Sequence, residues 1–215
     1  MKSNKVKNIF RYLPMDVGRI VCSVLPLYYR TKRIDINGNK NNKHKKGGAV
    51  IVAFHTGFTD PFVMGNCFWY RRMFFLAAKE VMVNRFVEVL LKGIGCIKID
   101  RDASDIEAIK KSVSVLKEGK LLSVFPQGGI NRDGQADKIK SGAVLIALQA
   151  GVPIIPVYTE KRKNKFKRQV MVIGEEFNCR DYCSKRFPSV GDMAELSSKL
   201  LLKMEECKKA YEQYA

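Results

Sequence analysis

The chain has 215 residues, of which 46% are hydrophobic, and this is enough for one α/β domain with a substantial core. The formal net charge is +18 with a pI near 9.7, so we expect an anionic partner: nucleic acid, an anionic membrane surface or a phosphorylated substrate. No uninterrupted run of about 20 apolar residues is present, which argues against a transmembrane helix. We also see no cleavable signal peptide, internal repeat or long low-complexity linker.

The six cysteines are scattered without a C-x-x-C pair, a pattern typical of a reducing cytoplasm. Cys179 and Cys183, with Asp181 between them, lack a nearby histidine and the usual ligand spacing, so we expect no metal site. The sequence contains no zinc finger, no RNP-like aromatic motif and no evident helix-turn-helix, which disfavours nucleic acid as the partner.

The N-terminal region, residues 5–30, places apolar side chains at three- and four-residue spacings with basic residues among them. The pattern predicts amphipathic helix broken near Pro14 and Pro26. A basic amphipathic helix can lie in the plane of a membrane interface, and the alternative is that this stripe packs on the protein's own core. We assign residues 1–34 to this segment, as a membrane-docking element, and residues 35–215 to the main domain.

From residue 49 onward, strand patterns alternate with helix patterns. The predicted strands are 49–54, 74–78, 97–99, 121–125, 152–159 and 170–173. The predicted helices are 61–69, 81–91, 104–117, 141–150 and 193–211, with Ser104 as a cap of the third. This alternation predicts an α/β fold with a mostly parallel central sheet flanked by helices.

His55 directly follows the first buried strand, and Asp60 comes shortly after it. A neutral imidazole can take a proton from a hydroxyl near neutral pH, and a carboxylate on its other nitrogen holds it in one tautomer and orientation. Gly57 lets the backbone turn sharply between the two residues. The alternative is a structural histidine at a strand end, satisfied by a nearby carboxylate. The other histidine, His44, lies in a basic loop.

Three more segments lie just after predicted strands, where open α/β sheets place their ligands. The first ends in Arg101, whose guanidinium suits a phosphate, although an ion pair with Asp100 or Asp102 is an alternative. The second, 125–132, contains two glycines that let the backbone approach a ligand closely, or form a simple turn. The third, 151–157, has two prolines in an apolar strand, which indicates a shaped wall or an edge strand.

Taken together, these four segments resemble the motifs of the glycerophospholipid acyltransferase family. The family's H-x4-D motif is matched by His55 and Asp60. The other three motifs are matched by Gly95 through Arg101; by Phe125, Pro126 and Gly128; and by Val152, Pro153, Ile154, Pro156 and Val157. The resemblance covers roughly residues 35 to 175, so residues 35–215 are expected to form an acyltransferase domain.

The resemblance implies transfer of a fatty acyl group from a thioester, acyl-CoA or acyl-ACP, to a hydroxyl of a lysophospholipid such as 1-acylglycerol-3-phosphate. His55 would be the general base, Asp60 would orient it, and Arg101 would bind the acceptor phosphate. The acceptor side would include Phe125, Pro126, Gln127, Gly128 and Gly129, and the acyl side Pro153. Backbone N–H groups near Gly57 or Gly128 would stabilise the oxyanion.

No cofactor beyond the acyl co-substrate and no metal is implied by the resemblance. It implies instead a role in phospholipid biosynthesis for a peripheral protein on the cytoplasmic face of the cell membrane. The basic composition agrees with an anionic membrane surface as partner, because each Lys or Arg near such a surface contributes about 1 kcal/mol of attraction.

One departure from the family pattern concerns the third motif, where Gln127 replaces the usual Glu and Gly129 the usual Thr or Ser. Glutamine keeps hydrogen-bonding capacity but loses the charge and adds a donor. The change therefore bears on the acceptor, which could be another lysophospholipid or an amino-lipid, more than on the reaction class. The alternative is a catalytically silent lipid-binding relative, against which the intact His55, Asp60 and Arg101 argue.

Overall fold

The computed structural model contains one seven-stranded sheet within the residues it describes. Those residues are 12–17, 31–36, 46–57, 60–100, 105–128, 138–160, 169–185 and 188–214. The strands are β1 (Lys32–Asp35), β2 (Ala49–Ala53), β3 (Met73–Ala78), β4 (Cys96–Ile99), β5 (Leu121–Val124), β6 (Ile154–Tyr158) and β7 (Val170–Ile173). They lie in the order β1-β7-β6-β2-β5-β3-β4.

Every neighbouring pair in this sheet is parallel except β6 with β7, which is antiparallel. The predicted mostly parallel sheet is therefore confirmed. Because β2 to β6 run in the same direction, their carboxyl ends meet at one edge of the sheet, the edge at which such folds bind their ligands.

The helices follow the strands in the alternation that the sequence predicts. They are α1 (Asp60–Cys67), α2 (Arg85–Gly93), α3 (Ile106–Lys117), α4 (Gly142–Ala150), α5 (Cys179–Tyr182) and α6 (Val190–Tyr214), with a 3-10 turn at Lys79–Val81. The cap of α3 is Asp105, whose carboxylate accepts from the N–H of Ala108. The predicted cap, Ser104, lies outside the described residues.

The central strand β2 positions the site because it is buried on both faces. Val50 and Val52 point into the cluster built with α3, α4 and α6, while Ala49, Ile51 and Ala53 point into the cluster built with α1. All five residues are at most 1% exposed. The residue that follows this strand therefore emerges from the rigid centre of the fold at the carboxyl edge.

The predicted N-terminal docking segment, residues 1–34, lies mostly outside the described residues. Within it, 13–17 are helical, and Tyr12 and Met15 are buried. The Tyr12 ring packs edge-on against Phe74, with ring centroids 6.2 Å apart, so this part packs on the main body. The expected boundary after residue 34 falls inside β1. Within the described ranges, no helix has the length and apolar character needed to cross a bilayer.

Candidate active site

The two ends of the H-x4-D segment meet at the carboxyl edge of the sheet. His55 follows β2, and Asp60 is the first residue of α1. The Nδ1 atom of His55 lies 3.0 Å from Oδ2 of Asp60, and their side chains are 15% and 3% exposed. Because a carboxylate accepts, Nδ1 carries the proton in this pair, and Nε2 is the nitrogen that can accept one from a substrate.

The carboxylate of Asp60 is held by the backbone of the same loop. Its Oδ2 atom also accepts hydrogen bonds from the N–H groups of Thr56, at 2.7 Å, and Gly57, at 2.9 Å. The N–H of Asp60 in turn donates to the carbonyl of Gly57 at 3.1 Å. The loop therefore closes on the carboxylate, which keeps Oδ2 fixed as the partner of the imidazole.

The segment that follows the neighbouring strand β5 supplies further contacts of His55. The ring of His55 stacks on Phe125, with centroids 4.3 Å apart and planes 22° apart. The backbone N–H of His55 donates to Oε1 of Gln127 at 2.7 Å. The register that pairs Val52 with Val124 continues past the strand ends and sets His55 level with Gln127. The imidazole is thus positioned by the Asp60 carboxylate and the Phe125 ring, and the backbone of His55 by the hydrogen bond to Gln127.

Gln127 and Gly128 lie in a tight turn that follows β5. The N–H of Gly128 donates to the carbonyl of Phe125 at 3.2 Å. Gly128 has a φ of +77°, and a Cβ there would lie 3.1 Å from Cε of Lys140, so glycine suits both the backbone and the space. The backbone of Lys140 also donates to the carbonyl of Pro126 at 2.9 Å, which ties this lysine to the turn.

Lys140 was not among the predicted site residues. It lies two residues before α4 in a basic stretch, and nothing in its spacing singles it out. Its contact with Gly128 depends on how the chain returns to the sheet after β5. An ammonium group beside the third motif adds a positive charge to the edge where a phosphate-bearing acceptor is expected.

The structure brings His55, Asp60, Phe125, Gln127 and Gly128 together, with Pro126 in the same turn. Two predicted residues, Arg101 and Gly129, lie outside the described residues, so their assignments remain predictions. Asp100, which precedes Arg101, forms an ion pair with Lys79 at 2.7 Å.

Pro153 is placed away from this group. Its carbonyl accepts from the N–H of Val50 at 3.0 Å, so it lies at the amino end of β6 and on the edge of the sheet opposite His55. Five residues of extended chain correspond to roughly 16 Å. The prediction that the fourth motif follows a strand is wrong, because Pro153 lies just before β6 and Pro156 in its middle. The role of Pro153 on the acyl side stays a prediction.

Two thiols on elements of this fold have raised pKa values. Burial raises the pKa of Cys67, at the end of α1, to about 12, and that of Cys96, at the start of β4, to about 11. A nucleophilic thiol needs the opposite shift. Among the described residues, no three His, Cys, Asp or Glu side chains are grouped so that they could hold a metal ion.

The family model described as Acyltransferase matches residues 33–160, which include β2 to β6, most of β1 and all the residues of this site. The chain therefore belongs to the acyltransferase family, a conclusion that agrees with the resemblance seen in the motifs.

Several curated proteins of similar sequence are named for the same enzymatic activity. The chain is 28% identical over 180 residues to the 1-acyl-sn-glycerol-3-phosphate acyltransferase of Bacillus subtilis, an alignment that covers 81% of this chain and 88% of the relative. It is 28% identical over 153 residues to the protein of the same name from Borreliella burgdorferi, with 70% and 60% covered. A third, from Streptococcus pneumoniae, is 34% identical over 109 residues, with 50% and 40% covered. These relatives are O-acyltransferases.

A solved structure shares the fold. The 1-acyl-sn-glycerophosphate (LPA) acyltransferase PlsC from Thermotoga maritima superposes with a TM-score of 0.61 over 90% of this chain and 78% of that one. The two sequences are 17% identical, so this likeness describes the architecture of the chain.

Proposed function

We propose that this protein transfers a fatty acyl group from an acyl thioester, acyl-CoA or acyl-ACP, to the free hydroxyl of 1-acylglycerol-3-phosphate, with His55 as the general base. The acceptor is proposed from the names of the relatives. The observation that carries the role of His55 is its hydrogen bond through Nδ1 to the buried Asp60, which leaves Nε2 for the substrate.

In the proposed reaction, Nε2 of His55 removes the proton of the acceptor hydroxyl while the hydroxyl oxygen attacks the carbonyl carbon of the thioester. The imidazolium that forms is stabilised by Asp60. The tetrahedral intermediate then releases the thiolate, which takes the proton back from His55. A new ester bond replaces the thioester bond, and no covalent acyl-enzyme is required.

The backbone donors expected to stabilise the oxyanion are already engaged. The N–H of Gly57 donates to Asp60, and the N–H of Gly128 donates to the carbonyl of Phe125. These two N–H groups are therefore not directed at an oxyanion, and the expectation that backbone donors near the two glycines stabilise it stays a prediction for their neighbours.

Gln127 bears on the acceptor less than the sequence suggests. Its side-chain oxygen accepts from the backbone of His55, and the carboxylate usual in the family would accept the same bond. The substitution thus preserves the contact that positions the base. This supports an active enzyme with the acceptor of its relatives rather than a silent lipid-binding protein.

The chain's +18 charge supports two further parts of the proposal: a peripheral position at the anionic cytoplasmic face of the cell membrane, and attraction of the polyanionic coenzyme or an acidic carrier protein.

The test is thiol release by the purified protein from palmitoyl-CoA, and in parallel from palmitoyl-ACP, in the presence of 1-acylglycerol-3-phosphate. We expect His55→Ala to lower the acceptor-dependent rate by about 100- to 10,000-fold, the usual effect of losing a general base. His44→Ala, which removes the other histidine, is the matched control and should keep the wild-type rate. Wild-type turnover by His55→Ala would refute the mechanism, and no release from either donor would refute the activity.

A further inference from the structure

Helix α2 presents an apolar stripe to solvent instead of to the core. The α2 apolar face is defined here as Val83, which lies just before the helix, together with Phe86, Val89 and Leu90 within it; these residues recur at three- and four-residue spacings. Their exposures are 76%, 78%, 64% and 55%. No residue of α2 is fully buried. A helix of an ordinary globular domain turns such a stripe inward, so this one is oriented for a partner outside the described fold.

The orientation of α2 is fixed by local structure. The side chain of Asn84 caps the helix by accepting from the N–H of Val87 at 2.9 Å. Val87 and Leu91, on the other side of the helix, are partly buried. At the far end, Pro14 lies against Gly93, since a Cβ on that glycine would be 3.7 Å from Cβ of Pro14.

The α2 apolar face begins at the edge of the sheet that holds His55. The 3-10 turn Lys79–Val81 follows the carboxyl end of β3, and α2 then runs back so that β4 can start at the opposite edge. Val83 and Phe86 therefore lie at the active-site end of the helix. A lipid acceptor that leaves a bilayer in contact with this face would arrive at the same edge as the base.

The charges around the face favour an anionic surface at long range. Lys79, Lys92 and Lys98 have side chains that are 42%, 54% and 46% exposed. Lys92, on the helix, and Lys98, on β4, share Glu88 at 2.7 and 3.7 Å, so their two positive charges are only partly compensated. The overall charge of +18 attracts the protein to an anionic leaflet, while attachment through α2 depends on apolar side chains.

We propose that the α2 apolar face is a membrane-docking surface that inserts into the interface of an anionic lipid bilayer and holds the active-site edge against it. This inference rests on the proposed function, because docking brings the active site to a lysophospholipid acceptor that resides in the bilayer. It assigns docking to residues 83–90, in addition to the N-terminal segment that the sequence indicates.

The experiment is flotation of the full chain with vesicles of phosphatidylglycerol and phosphatidylcholine in equal parts. The test variant carries Phe86→Ser, Val89→Ser and Leu90→Ser. Burial of three such side chains strengthens partitioning by about 100-fold or more, so the variant should lose about that factor. The matched control carries Ile106→Ser, Val190→Ser and Leu202→Ser, which are 62%, 89% and 60% exposed on other helices, and should bind as wild type.

A second measurement places the helix directly. Trp69 is the single tryptophan of the chain, so Trp69→Phe provides a silent background. Phe86→Trp in that background should be quenched by brominated lipid, and Leu202→Trp should not. Flotation of the serine variant at the wild-type level, an unquenched Trp at position 86, or wild-type protein that does not float would overturn the proposal.

Activity assays with two forms of the acceptor distinguish this proposal from the proposed function. With a short-chain acceptor dissolved as monomers, the serine variant should keep the wild-type rate of thiol release, and with the acceptor in vesicles it should lose it. No release by any form would refute the function while the flotation and quenching results still decide the surface. Unchanged vesicle binding with a shift from dimer to monomer would assign the face to a second copy of the chain instead.

Discussion

Substitution of Asp60 by Asn isolates the charge of the buried carboxylate from its hydrogen bonds. Three N–H donors converge on one oxygen, Oδ2, from His55, Thr56 and Gly57. An asparagine with its carbonyl at that position keeps all three bonds. Its amide then takes the place of Oδ1, 3.4 Å from the hydroxyl of Thr56, which can accept. The tautomer of His55 is preserved, and only the negative charge is lost.

The loss of the Asp60 negative charge determines how far the turnover number of Asp60→Asn should fall. With Nδ1 and Oδ2 3.0 Å apart, the centres of the two charges are about 4 Å apart. At an effective dielectric constant of about 20, the imidazolium and the carboxylate attract each other by about 4 kcal/mol. The imidazolium forms only as the proton is transferred, so this energy is removed from the transition state. We expect the turnover number to fall by about 1,000-fold, at about 1.4 kcal/mol per tenfold.

Asp60→Ala is the companion variant, because it also removes the acceptor. It leaves the N–H groups of Thr56 and Gly57 without their carboxylate partner, at about 1 to 3 kcal/mol each. We expect denaturant melts to show a clear loss in the free energy of unfolding for Ala and little for Asn, while thiol-release assays show both variants nearly inactive. Turnover by Asp60→Asn within a factor of a few of wild type would refute the reasoning.

Two more predictions follow from other contacts. Gln127→Met should lower both the rate of acyl transfer and the free energy of unfolding, the latter by about 1 to 3 kcal/mol, because the N–H of His55 loses its acceptor. Gln127→Glu keeps an acceptor and should retain the stability. Equal denaturant melts for the two variants would contradict this. Burial raises the folded-state pKa of Cys67 from 9.0 to about 12, so the contribution of this thiol to the free energy of unfolding should be constant below pH 9 and fall as the pH rises from 9 toward 12. Denaturation at several alkaline pH values would measure this fall, and Cys67→Ala should lessen it.

The catalytic pair could be predicted because its geometry is local. A buried strand, a glycine and a proline at the start of a helix bring His55 next to Asp60 with little help from the rest of the chain. The contact of His55 with Gln127 could not be predicted, since the two are 72 residues apart and meet only through the register of β2 with β5. The distance of Pro153 from His55 could not be predicted either, because it depends on the register of β2 with β6.

Some element boundaries differ because side chains decide them. The last helix begins at Val190 rather than 193, since the N–H of Ser189 donates to Asp192 at 2.7 Å and the N–H of Asp192 donates back to the hydroxyl of Ser189 at 3.2 Å. Strand β1 was not predicted, because a short polar segment gains its pairing only from β7, far away in the chain. For α2, the periodicity predicts the helix but not which of its sides is left uncovered.

The loop between β2 and α1 makes the geometry of the His55–Asp60 pair nearly independent of the rest of the fold. The residues that fix the Asp60 carboxylate are no more than five positions away along the chain, so closing this loop costs little chain entropy and can occur early in folding. The bond from His55 to Gln127 instead spans 72 residues and forms only when the strands align. The His55–Asp60 pair therefore forms through contacts between residues close in sequence, as in a turn. Its alignment with the loop after β5 depends on contacts between residues far apart in sequence, as in a sheet. Sequence change in that loop can alter what is presented to the pair without rebuilding the pair itself.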